Sequence, residues 1–129
     1  MPETDLNTLI RTMSPRLLPG LFVFATTDTV AAGLDPVMTF REAEGITLIL
    51  PKDQATAAGL AWIFSSRMIT LEVRSSLEAV GFLAAIAARL AEAGIPVNPI
   101  SGFHHDHLFV PDGREEEAML ILRGMASVG

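Results

Sequence analysis

The run from Ile69 to Val110 constrains this chain more than any other segment. Ile69, Leu71 and Val73 alternate with Thr70, Glu72 and Arg74, the period of a half-buried strand. Ser75 and Glu78, three residues apart, have the spacing of a capping box and predict a helix that starts at once. Its expected inward stripe is Val80, Leu83, Ala84, Ala87, Leu90 and Ala91. Phe82 and Ile86 fall off that stripe, as a second core layer or a contact with another copy. Gly94 supplies a left-handed C-terminal residue, Ile95 an apolar plug, and Pro96 forbids continuation. Val97–Phe103 and His105–Val110 then pair as a hairpin. Strand, helix, strand and strand follow one another with almost no spare residues, so the helix must lie back across its own sheet.

The first half carries a weaker copy of the same plan. Leu6, Leu9, Ile10 and Met13 have helical spacing, and Ser14-Pro15 stops it. Leu21–Thr26 reads as a buried strand, and residues 27–36, with Gly33 and Asp35-Pro36, as a loop. Val37–Arg41 and Ile46–Leu50 form a hairpin around Gly45, and Pro51 opens a short helix ending at Gly59. Leu48-Ile49-Leu50-Pro51-Lys52-Asp53 is echoed by Leu108-Phe109-Val110-Pro111-Asp112-Gly113. In both places a second hairpin strand ends at Pro and turns into a helix, the later one burying Ala118, Ile121, Leu122 and Met125. The expected fold is therefore α+β, two tandem βαββα units of ferredoxin-like plan sharing a sheet or core, the first with a reduced crossover helix. The expected division is residues 1–65 and 66–129.

Composition narrows function by exclusion. At 129 residues, half of them apolar, the chain can bury a core. A formal charge of −6 disfavours nucleic acid, whose phosphates require a Lys/Arg surplus. With no cysteine, disulfides and thiolate metal sites are excluded. The acidic start lacks the basic-then-apolar pattern of a signal peptide, and no run approaches a membrane span. A cytoplasmic protein without membrane partners is the expectation.

The strand ITLEV, loop RSSLEAVGF, helix LAAIAARLAEAGI, strand PVNPISGF and strand HDHLFV together resemble the ACT domain, a small regulatory module that binds amino acids. Thr39–Gly45, Ser75–Gly81 and His104–His107 resemble signature stretches of short bacterial proteins made of two ACT-like units, of unknown function. The resemblance runs from about Leu6 to Met125. It implies a ligand at the turn from first strand to helix, near an interface between units or subunits. Carried over, it points to Arg74, Ser75, Ser76, Leu77, Glu78 and Gly81, with Asn98, Ser101 and Asp106 opposite. Ser76 and Leu77 stand where many such domains have an Asp and a Gly.

Each polar cluster also has a plainer account. Ser75 and Glu78 would serve only as a helix cap, or the helix N-terminus would also cradle a carboxylate while Glu78 or Asp106 takes an ammonium. His105 and His107 share a strand face at a spacing that suits Zn or Ni. Such sites need three or four protein ligands, and none is spaced to join them. Arg41, Glu42, His104 and His105 are a possible secondary polar site, Arg41 and Glu42 otherwise lying at a solvated turn. No nucleophile elbow or Gly-rich phosphate loop occurs. The expectation is a non-enzymatic protein, with no cofactor or metal, that binds an amino acid or similar metabolite and forms a homodimer or other homo-oligomer. The alternative is an interaction or scaffold module with a vestigial site.

Overall fold

The computed structural model describes residues 2–128, so Met1 and Gly129, the outer ends of the two expected units, lie outside it. Helix α1 (Leu6–Thr12) and strand β1 (Ser14–Leu17) open the chain. Strands β2 (Phe22–Thr27), β3 (Met38–Glu42) and β4 (Gly45–Pro51), helix α2 (Lys52–Ala57) and strand β5 (Trp62–Glu72) follow. Helix α3 (Phe82–Glu92), strands β6 (Asn98–Ser101) and β7 (Asp106–Pro111), and helix α4 (Glu115–Val128) complete it.

The chain forms two compact units, residues 20–66 and, together, the described residues up to Pro19 and from Arg67 onward. The division expected from the repeat, at 65/66, follows sequence order. In space the N-terminal helix and strand belong with the second half. Within residues 20–66 the strand order is β3-β4-β2-β5, β5 contributing residues up to Ser66. In the other unit the order is β1-β5-β7-β6, with Ser14–Leu17 paired antiparallel to Ile69–Glu72. Numbered from β2 in the first unit and from β5 in the other, with β1 taking the place of the fourth strand, both orders are 4-1-3-2, the antiparallel ferredoxin-like arrangement. Strand β5 ends one unit and begins the next.

In residues 20–66 the crossover from β2 to β3 is a loop, so the reduced crossover helix expected there is absent altogether. Val30 and Leu34 from that loop pack against Val23, Ala25, Leu48, Leu50 and Ala55. The β3–β4 turn is tight, with Glu42 opposite Gly45. A Cβ on Gly45 would stand 2.9 Å from Thr26 Oγ1, so close approach of β2 demands glycine there.

In the other unit, α1, α3 and α4 enclose Leu9, Ile69, Leu71, Phe82, Ile86, Leu90, Leu108, Val110, Ala118 and Leu122. The inward stripe of α3 is Phe82, Ile86 and Leu90, while Ala84 and Ala91 are exposed. Phe82 and Ile86 are thus primary core, and of the expected stripe only Leu90 is fully buried, Val80 lying outside the helix and 85% exposed. Ile69, Thr70 and Leu71 are all buried, so β5 is covered on both faces where half-burial was expected. No helix among the described residues is long and apolar enough to cross a membrane.

Candidate functional site

The backbone beyond β5 does not enter a helix. The Arg74 carbonyl accepts from the Glu3 amide (2.7 Å) and the Ser76 amide donates to the Glu3 carbonyl (2.9 Å), so the N-terminal segment pairs with the loop. The Ser76 hydroxyl accepts from the Glu78 amide at 3.0 Å, a local turn. Helix α3 starts only at Phe82, after Gly81 at φ 93°. The capping box is therefore not formed: Ser75 lies seven positions ahead of the first helical residue, and its hydroxyl bonds elsewhere.

That bond crosses to β7. The Ser75 hydroxyl donates to Asp106 Oδ2 at 3.0 Å, and Asp106 is only 6% exposed. Asp106 faces the helix side of its sheet, as Leu108 and Val110 do along β7. A cavity of about 230 Å³ opens beside it, with Ser75, Ser76, Leu77 and Gly81 on one wall and Ser101 and Asp106 on the other. Its remaining walls are Ala79 and the first residues of α3, Phe82, Leu83 and Ala84. The first helical hydrogen bond runs from the Ala85 amide to the Gly81 carbonyl. The amides of Phe82, Leu83 and Ala84 thus have no partner in the helix ladder, and Gly81 offers no capping side chain. A helix N-terminus and a buried carboxylate face one cavity, a donor group for an anion beside an acceptor group for a cation.

The structure therefore brings together six of the nine residues expected at the main site. Arg74 is exposed and lines a different cavity, described below. Glu78 is exposed and outside the cavity wall, and Asn98, at the far end of β6 opposite Phe109, does not line it either. Phe82, Leu83 and Ala84 were missed. Gly81 was the available signal, since a left-handed glycine resets the point at which a helix can begin.

The expected secondary polar residues go to separate tasks. The Glu42 carboxylate accepts from the Thr47 hydroxyl and braces the β3–β4 hairpin, and Arg41 is an exposed residue of β3. His104 stacks edge-on against Phe103, ring centroids 5.0 Å apart. His105 Nδ1 lies 3.4 Å from the Val73 carbonyl, and His107 Nδ1 lies 3.0 Å from Thr70 Oγ1. Burial, with the neighbouring His105, pushes the His107 pKa below its usual range, against a smaller upward pull from Asp106. Among the described residues no group of three or more His, Asp or Glu is placed to hold a metal ion.

Two family models, each described as ACT domain, match residues 1–67 and 64–124. A search of curated proteins finds no match. Among solved structures, the chain is similar to a protein of unknown function from Vibrio cholerae described as a possible transport protein. The identity is 43%, the TM-score 0.85, and the match covers 94% of this chain and 95% of that one. A protein from Agrobacterium tumefaciens superimposes with TM-score 0.76 at 16% identity, over 88% and 89% of the two chains. The ligand-free regulatory subunit of aspartate kinase from Thermus thermophilus does so with TM-score 0.58 at 9% identity, over 90% and 98%.

Proposed function

This chain belongs to the ACT-domain family, and from that premise we propose that it is a regulatory protein that binds an amino acid in the cavity between Ser75–Gly81 and Asp106. The observation that carries this is Asp106, a carboxylate buried on the wall of a cavity that also faces an uncapped helix N-terminus. A zwitterion complements that pair of groups. Its carboxylate meets the amides of Phe82, Leu83 and Ala84 and the positive end of the α3 dipole. Its ammonium meets Asp106, with the hydroxyls of Ser75 and Ser101 on adjacent wall. The side chain lies toward Leu77, Ala79 and Phe82.

Size agrees with chemistry. At about 230 Å³ the cavity falls below the roughly 300–1,000 Å³ of drug-sized pockets, and an amino acid is of that smaller scale. A hydrogen bond to a charged group contributes about 1.5–3 kcal/mol, so Asp106 alone would set affinity apart from that of an uncharged analogue. Regulation, with no catalytic step, suits a site that holds two charges and offers no activated nucleophile. The Thermus thermophilus neighbour, named as the regulatory subunit of a kinase, supports the same role by its fold.

Leu77, which lines the cavity, is 70% exposed, and Val80, between two lining residues, is 85% exposed. An apolar rim of this kind favours closure by a second copy of the chain, so occupancy and self-association would be linked. The test is a thermal-shift panel of the twenty amino acids with the full chain. At least one should raise Tm at millimolar concentration, and Asp106→Asn should remove that shift while the variant stays folded. A flat response to all twenty, with self-association unaffected by them, would favour a scaffold with a vestigial site.

A further inference from the structure

The loop Ser75-Ser76-Leu77 has a second side. A separate cavity of about 150 Å³ is lined by those three residues together with Pro2, Arg74, Phe103 and His104. Its charge is opposite to that of the first. The first has Asp106 on its wall and no cation, whereas the second has Arg74 and His104 and no carboxylate. Among the described residues the Arg74 guanidinium makes no ion pair and no hydrogen bond. Among the other arginines of this unit, Arg11 and Arg123 likewise form no ion pair with a described residue, whereas four are engaged. Arg16, Arg67, Arg89 and Arg114 all engage a glutamate.

The backbone holds this cavity in place. The N-terminal segment supplies Pro2 and is tied to the loop by the two hydrogen bonds through Glu3. His104 stands beside Phe103, a residue 81% exposed to solvent. A guanidinium fork, an imidazole and the Ser76 hydroxyl around a space this small match a carboxylate or a phosphate, since both present paired oxygens to the fork, while the Ser75 hydroxyl is committed to Asp106. We infer that the Arg74–His104 cavity is a second ligand site, specific for a small oxyanion, either free or as the anionic group of a small metabolite. It is independent of Asp106 in its chemistry and shares only the wall Ser75–Leu77 with the amino-acid cavity. Because that wall is common, an occupant of either side bears on the loop that shapes the other.

The test is an NMR titration of the full-length chain with inorganic phosphate and, separately, with acetate and succinate, at fixed ionic strength. Saturable shifts are expected at the amides of Arg74–Leu77, Phe103 and His104, and at Arg74 Nε. Phosphate alone saturating would identify a phosphate group as the occupant, and the carboxylates alone a carboxylate. Arg74→Gln, an exposed position where the fold tolerates change, should weaken binding about tenfold or more, and Arg74→Lys should fall between, keeping charge but losing the fork. Arg123→Gln, exposed on α4, should leave it unaltered. Non-saturating shifts, shifts centred elsewhere, or equal affinity in Arg74→Gln would overturn the site. Binding of phosphate without any amino acid response would sustain this site and sink the first, and the converse result would do the opposite.

Discussion

Ser75 and Asp106 are joined by one hydrogen bond of 3.0 Å, linking the loop after β5 to the first residue of β7 across 31 positions of sequence. This bond decides what Ser75 does. A serine free to cap a helix would have started α3 at once. A buried carboxylate that needs a donor takes the hydroxyl instead, because leaving it without partners costs more than an open helix end exposed to water.

The partnership can be measured. Ser75→Ala should destabilise the protein by about 1–3 kcal/mol, since it removes a donor from a buried carboxylate. A double-mutant cycle with Asp106→Ala, followed by urea unfolding, should show a coupling energy of about 1 kcal/mol or more. Strict additivity would mean that Ser75 acts by some other contact.

Ligand stoichiometry should be one per chain. Aligning the echo at Leu50-Pro51 and Val110-Pro111 sets Ile46 in the position of Asp106. Ile46 is partly buried against the core of its own unit, and the β2–β3 connection there is a loop, so that unit has neither the carboxylate nor the helix end. Calorimetry with the amino acid identified by thermal shift should give n near one. A value of two would place a site in residues 20–66.

Stability should fall with acid through His107. Its pKa is lowered by burial, so the unfolded chain takes up the proton first as pH drops below the ordinary 6.5. The stability that neutral His107 contributes is complete above that value and is lost as pH falls toward the folded pKa. Urea midpoints at pH 7.5 and pH 5 should differ more for the natural chain than for His107→Gln. Parallel pH profiles would remove His107 from the account.

At the start of α4, the Glu115 carboxylate is held below its usual range, first by its own backbone amide, then by the Gly113 amide and Arg67, against the opposing effect of burial. Arg67 Nη1 is 3.2 Å from Glu115 Oε2, with side chains 21% and 15% exposed, and Arg67 Nη2 also donates to the Leu18 carbonyl. A depressed carboxylate stabilises the fold above its unfolded pKa, and that contribution is lost as pH falls through the folded one. Glu115→Gln should therefore cost about 1–3 kcal/mol at neutral pH, and the difference from the natural chain should shrink below about pH 4. Chemical denaturation at both pH values checks this.

Glycine positions separate two kinds of constraint. Gly81→Ala meets only the Leu6 side chain at 3.6 Å, so its cost is that of the left-handed backbone, about 1 kcal/mol. Gly45→Ala adds a clash with Thr26 Oγ1 at 2.9 Å and the Thr27 carbonyl at 3.3 Å, and should lose more. Thermal unfolding of both variants gives the ranking, and a reversed order would contradict the close approach of β2 to the β3–β4 turn.

Periodicity alone was enough for the elements whose partners are local. The β3–β4 and β6–β7 hairpins, α4 and the ferredoxin-like plan were legible because alternation, helical spacing, glycines and prolines act within a few residues. Strand β1 was not, for Ser14-Pro15-Arg16-Leu17 has no pattern of its own and becomes a strand only by pairing with Ile69–Glu72, more than fifty residues on. Trp62–Ser66 likewise gave no strand signal, yet they form the first half of β5.

The candidate site divides in the same way. Its ingredients, a serine loop, a glycine ahead of an apolar helix and an acid on the facing strand, are determined by the sequence from Arg74 to Asp106 and were named from it. Which of them meet was decided by tertiary structure. Burial of Asp106 drew Ser75 away from the helix, delayed α3 to Phe82 and opened its amides to a cavity, whereas Arg74 and His104 were turned to the other side of the loop. The physical reason is that local preferences for caps and turns amount to about 1 kcal/mol each, and a buried charge in need of a partner outweighs them.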